Sequence, residues 1–114
     1  MKKILWFSRH EMTPDQKGAL EKKLGDINVT QISKTISSAY ELQEEILAAD
    51  IVAIVAPINL QQQFLKIAGD RPVITAVSER KLVPSSDGGE DQVQFVFRGW
   101  KQLKKIEVIM DDFA

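Results

Sequence analysis

The chain contains no cysteine. That absence excludes disulfides, thiolate metal sites and cysteine nucleophiles, and the cytoplasm is then the simplest compartment to expect. Histidine is almost as scarce, and a lone His10 rules out a two-histidine metal or catalytic pair within one chain. Neither sign of charge dominates: 15 Lys and Arg against 16 Asp and Glu leave a formal charge of −1. Without a global basic field no duplex nucleic acid partner is expected, and any anion site has to be local. No apolar run approaches the roughly 18 residues of a membrane span, so no membrane partner is expected. The first apolar run, Ile4-Leu5-Trp6-Phe7, breaks at Ser8-Arg9-His10 before a secretion signal is complete, and it reads as a strand. Walker and Rossmann glycine fingerprints are missing, and Glu11, Asp15, Asp50, Glu79 and Asp87 follow no metal-loop spacing. The expectation is no cofactor and no metal.

What is present is an ordinary globular composition. With 114 residues and 44% hydrophobic residues, the chain can bury one continuous core without staples, as a single domain over residues 1–114. After the strand ending at Phe7, Thr13-Pro14-Asp15-Gln16 combines an N-cap, a first-turn proline and a capping-box partner, so a helix starts there. Leu20 and Leu24 share one face of it, and Gly25 is placed to end it. Ile27, Val29 and Ile32 mark a second strand. Ser38 and Glu41 then form another capping box ahead of Leu42, Ile46 and Leu47.

Residues 51–56, Ile-Val-Ala-Ile-Val-Ala, form an unbroken apolar run rich in β-branched residues, the pattern of a central strand covered on both faces. Pro57-Ile58-Asn59 is the next turn, with Asn59 as N-cap and Gln62 as box partner of a helix that buries Phe64, Leu65, Ile67 and Ala68 before Gly69. Residues 73–77 read as a fourth strand. Strand and helix alternate three times at short spacing, which predicts right-handed crossovers and a compact Rossmann-like α/β sandwich on a mainly parallel sheet. That core spans residues 1–78. Residues 79–114 read as a loop followed by an antiparallel hairpin at the sheet edge, built from Val93, Phe95 and Phe97 and from a second run between Leu103 and Met110. A short helix between Trp100 and Ile106 is the alternative.

In an open α/β sheet, ligands collect beyond the carboxyl ends of the strands, where the strand order reverses. Three loops are expected there. They carry Ser8, Arg9, His10 and Glu11 after strand one, Pro57, Ile58 and Asn59 after strand three, and Ser78, Glu79, Arg80 and Lys81 after strand four. Helix amino ends at Thr13 and Asn59 add partial positive charge. Ser8-Arg9-His10 is thus a hydroxyl, a fixed cation and an imidazole on an anion-friendly rim, suited to phosphate recognition or phosphoester cleavage. The plainer alternative has Arg9 paired with a carboxylate, His10 in solvent and Ser8 holding the turn. Asn59 reads first as a cap, and Glu79, Arg80 and Lys81 read first as solvated charges, with ligand contact as the second role.

Two resemblances bear on the loop. Arg9-His10 with Thr13, directly after a first strand, resembles the Arg-His-Gly-x-Thr start of histidine phosphatases, but Glu11 replaces the glycine and no second histidine exists. Phe7-Ser8-Arg9-His10 with Thr13 and Gln16, followed by Val55-Ala56-Pro57-Ile58-Asn59-Leu60, resembles the small stand-alone CRISPR-associated Rossmann-like (CARF-type) proteins of the ring-nuclease kind. This second resemblance covers about two-thirds of the chain. It implies a homodimer that binds a cyclic oligoadenylate across its two-fold axis and cuts it without a metal; the alternative is a non-catalytic nucleotide sensor or protein-interaction module. Under it Arg9 clamps the phosphate, Ser8 positions it, His10 is the candidate acid or base, and Thr13, Pro57, Asn59, Glu79 and Arg80 are candidate ligand contacts.

Overall fold

A computed structural model describes residues 1–84, 88–89, 92–106 and 110–113. The element order is β1 (Lys2–Phe7), α1 (Pro14–Leu24), β2 (Ile27–Ile32), a 3₁₀ turn (Ala39–Leu42) running into α2 (Gln43–Ala48), β3 (Ile51–Ile54), α3 (Ile58–Ala68), β4 (Val73–Val83) and β5 (Gln92–Leu103). One five-stranded sheet has the order β2-β1-β3-β4-β5. The first four strands are parallel, and β5 is antiparallel to β4. The expected Rossmann-like α/β sandwich is what forms.

Strand alternation sorts the core into two layers. Leu5 and Phe7 of β1 and Val52 and Ile54 of β3 pack with Leu42, Ile46, Leu60 and Phe64, on the face covered by the 3₁₀ turn, α2 and α3. Ile4 and Trp6 of β1 and Ile51 and Ala53 of β3 pack with Leu20 on the α1 face, joined by Trp100 of β5. Because β1 and β3 are buried on both faces, each has to be apolar at every position the helices cover, which is why their runs are continuous.

Both capping boxes read for α1 and for the turn after Ser38 are made. Thr13 accepts from the Gln16 amide while the Gln16 side chain accepts from the Thr13 amide, and Ser38 and Glu41 do the same. The third box does not form. Pro57, extended at φ −68° and ψ 162°, is the N-cap of α3 without any side-chain cap, and the first helical bond runs from the Gln61 amide to the Pro57 carbonyl. The helix therefore starts before Asn59, which lies exposed in its first turn, and Gln61 rather than Gln62 reaches back, donating to the Ala56 carbonyl at 2.9 Å.

The antiparallel extension uses different segments from those read in the sequence. β4 does not stop at Val77 but continues to Val83, paired with β5 from Gln92 to Leu103. A register shift at Val77/Ser78 leaves Arg98 as the extra residue beside Gly99 (φ 134°), so one long strand bends past the glycine instead of ending there. The alternative helix between Trp100 and Ile106 is absent, since 100–103 are strand. Leu103 closes that strand, Met110 is exposed outside any element, and residues 107–109 of the expected second run lie outside the described residues.

Candidate functional site

The chain leaves β1 for β2 on one side and later adds β3 on the other, so the strand order reverses at β1. Loops that leave β1 and β3 in different directions open a crevice at their carboxyl ends. A cavity of about 430 Å³ lies there, on the α3 side of the sheet. Phe7, Ile36 and Leu60 give it an apolar floor, Ser8, Arg9 and His10 form one wall, Ser33, Lys34 and Thr35 face them from the loop after β2, and Val55 and Pro57 close the third side.

The wall from β1 is fixed mainly through its backbone. The Ser8 amide continues the sheet to the Ile32 carbonyl, and the Gln31 side chain donates to the Ser8 carbonyl at 3.1 Å. Ser8 is 6% exposed, and its Oγ accepts from the His10 amide at 3.2 Å. The buried Trp6 indole donates to the His10 carbonyl at 2.8 Å. Both backbone groups of His10 are thus engaged, and the residue is exposed at the cavity wall. Arg9 donates through Nη2 to the Thr35 hydroxyl at 3.0 Å. Among the described residues its guanidinium is paired with no carboxylate. A planar cation with five donors and one neutral partner retains most of its capacity for an anion.

The opposite loop has its own anchor. The Glu41 carboxylate accepts from the Ser37 and Ser38 amides and from the Ser37 hydroxyl, at 2.9 to 3.1 Å. The Ser38 and Ser37 amides and then the Ser37 hydroxyl hold its pKa below the ordinary glutamate range. Segment 33–36 is thus pinned at its far end by a charge-assisted cluster. The amino end of α3 adjoins the cavity through Pro57 and Leu60, and the lack of a side-chain cap leaves its first-turn amides free to meet an anion.

Of the residues singled out in the sequence, Ser8, Arg9, His10 and Pro57 line this cavity, and Asn59 sits between the lining residues Pro57 and Leu60. Thr13 lies outside it. The amino end of α1 packs on the other face of the sheet, and the Thr13 hydroxyl is taken up by its own helix. Glu79 and Arg80 also lie outside it, because β4 runs on as a strand where a turn was expected, and Glu79 is bonded to Arg98 at 2.6 Å. The missed residues are Ser33, Lys34 and Thr35. Their signal was a lysine between two hydroxyl residues directly after a strand; the order β2-β1-β3 makes that loop, rather than the one after β4, the neighbour of Arg9.

Fold and site together define an open, mainly parallel α/β protein with a cationic, apolar-floored crevice at its switch point. No protein-family model, no curated protein and no solved structure matches the chain. Among the described residues no group of three His, Asp or Glu side chains could hold a metal, and no helix is long and apolar enough to cross a membrane.

Proposed function

We propose that the crevice binds a phosphate-bearing nucleotide, with Arg9 as the principal phosphate ligand. The observation that carries this reading is Arg9 itself: unpaired with any carboxylate among the described residues, it is held against Thr35 across a cavity that also meets Lys34 and the uncapped start of α3. A fixed guanidinium, an ammonium and free helix amides suit a phosphate. The apolar floor of Phe7, Ile36 and Leu60 beside them suits a base or sugar face.

The resemblance to ring nucleases makes the proposed ligand a cyclic oligoadenylate. For cleavage, a ribose 2′-oxygen attacks the adjacent phosphorus, the 5′-oxygen leaves and takes up a proton, and a 2′,3′-cyclic phosphate remains. Arg9 and Lys34 would stabilise the equatorial oxygens, and the imidazole of the exposed His10 is the group able to accept the 2′ proton or supply one to the leaving oxygen. A second reading, binding without turnover, is favoured by Ser8, whose buried Oγ is engaged by the His10 amide and whose role is to shape the turn.

The test is calorimetric titration with cyclic oligoadenylates of several ring sizes and with their linear counterparts, followed by product analysis in EDTA. Saturable binding lost in Arg9→Ala supports the site. Linear products that disappear in His10→Ala support cleavage, whereas binding without products leaves the sensor reading. Absence of binding by every member of the series removes the cyclic oligoadenylate assignment.

A further inference from the structure

Beyond the register shift at Val77/Ser78, β4 and β5 leave the body of the sheet as a two-stranded ribbon of residues 78–83 and 92–97. Its length shows in the radius of gyration, 17.1 Å, against about 13 Å for a compact chain of this size. The register places Leu82 opposite Val93, Arg80 opposite Phe95 and Ser78 opposite Phe97, all on one face. Its β5 half, Val93, Phe95 and Phe97, is apolar, Arg80 and Ser78 stand among its β4 neighbours, and it is bare: Phe95 is 73% exposed and Leu82 63%. It continues inward through the edge contact of Phe97 with Trp100 and of Trp100 with Trp6, so the core's aromatic seam runs out onto the ribbon. Two strands alone are marginal in water, and β5 is also the edge of the whole sheet, with no backbone partner on its outer side among the described residues.

The charge pattern along that edge selects the partner. Residues 92–97, Gln-Val-Gln-Phe-Val-Phe, carry no charge, whereas Arg98, Lys101, Lys104 and Lys105 follow directly. An acidic partner would dock along the cationic stretch. The bare and apolar part is the neutral one, which suits a copy of itself.

We propose that two copies of this chain pair antiparallel through the β5 edge, on a two-fold axis at Phe95. In that register Phe95 meets Phe95, Val93 of each copy meets Phe97 of the other, and Gln92 meets Arg98, so no like charges are opposed. A register centred on Lys101 would instead set lysine against lysine and Arg98 against Lys104. The four-stranded arm β4-β5-β5-β4 brings together aromatic and β-branched cross-strand neighbours, the pairs that stabilise sheets. The contact does not rest on the pocket reading. β1 lies three strand spacings, about 14 Å, from β5, so the two pockets sit roughly 30 Å or more apart and each is whole within its own protomer. One nucleotide per chain is then the expected stoichiometry, in place of the single ligand across a two-fold axis that the ring-nuclease resemblance implies.

Because the chain lacks cysteine, one introduced thiol reports on one contact. Phe95→Cys places two thiols on the axis, their Cβ atoms about 5 Å apart, and is expected to give a covalent dimer under mild oxidation. Leu82→Cys is also at an exposed position but lies on β4 opposite Val93, so it is displaced from its counterpart both across three spacings and along the strands, about 20 Å in all, and is expected to cross-link at least ~10-fold more slowly. Sedimentation equilibrium of the unmodified chain should show a monomer–dimer equilibrium. In Phe95→Lys, folded by circular dichroism, the dissociation constant should rise ~10-fold or more, because two ammonium groups are then opposed. A chain that stays monomeric over the accessible concentration range overturns the proposal, as does equal cross-linking of the two cysteine variants. A dimer indifferent to Phe95→Lys assigns the contact elsewhere and overturns it too.

Discussion

Arg9 is the residue on which the site turns, because a guanidinium that, among the described residues, is hydrogen-bonded to the neutral Thr35 hydroxyl presents its remaining donors to whatever enters the cavity. Removing it deletes a charge-assisted hydrogen bond, about 1.5–3 kcal/mol, so Arg9→Ala should weaken nucleotide binding roughly 10- to 100-fold by titration calorimetry. Arg9→Lys should recover only part of this, since an ammonium keeps the charge but not the fork. His10→Ala should change affinity less than Arg9→Ala and rate more, if products form. Trp6 acts one step back. Its ring is buried and its indole holds the His10 carbonyl, so Trp6→Phe keeps most of the packing but loses that bond. The expected cost is about 1 kcal/mol in urea unfolding, with weaker binding as the loop loosens. The Ser8-Arg9-His10 loop was legible in the sequence because it directly follows an unmistakable strand. Residue types left Ser8 open between a phosphate contact and a turn-holding role, and the bond from the His10 amide to its Oγ, a matter of local backbone geometry, favours the second.

At the scale of elements, two of the three capping boxes read in the sequence form. The Thr13/Gln16 and Ser38/Glu41 boxes each depend only on their own turn, and both form. Asn59 failed because Pro57, in extended conformation, begins α3 ahead of it. Thr13→Ala should therefore cost about 1 kcal/mol of stability, and Asn59→Ala next to nothing, by chemical denaturation. The length of β4 was illegible for a different reason. Ser78, Glu79, Arg80 and Lys81 are polar and charged, a loop by composition, but they stay extended because each has a partner across the ribbon in β5. Pairing over that sequence distance leaves no local periodicity to read.

Glu41 gives the loop after β2 a pH dependence. Its folded pKa lies below the unfolded one, so its contribution is fully present above the ordinary glutamate range and is lost as pH falls through the folded value. Glu41→Gln should be less stable than the parent at neutral pH and lose less stability on acidification. Paired denaturation curves at pH 7 and in the acid range check the sign.

The whole molecule is a compact sandwich with a long arm, and the two parts carry separate claims. The fold class followed from strand–helix alternation, and the crevice followed from the topology that alternation allows. The order β2-β1-β3-β4 decided which loops meet, and it could not be taken from the sequence because three parallel strands can add to either side of the first. If the arm pairs two copies, the melting temperature should rise with protein concentration, and the rise should be reduced in Phe95→Lys. The crevice claim is tested most directly by a heteronuclear NMR titration with a cyclic oligoadenylate, following backbone amides. The expected result is that shifts concentrate at residues 8–10, 33–36 and 58–60 and vanish in Arg9→Ala, while Thr13, Glu79 and Arg80 stay still. Saturable shifts centred on the ribbon or on the α1 face, with residues 8–10 and 33–36 unmoved, would contradict it.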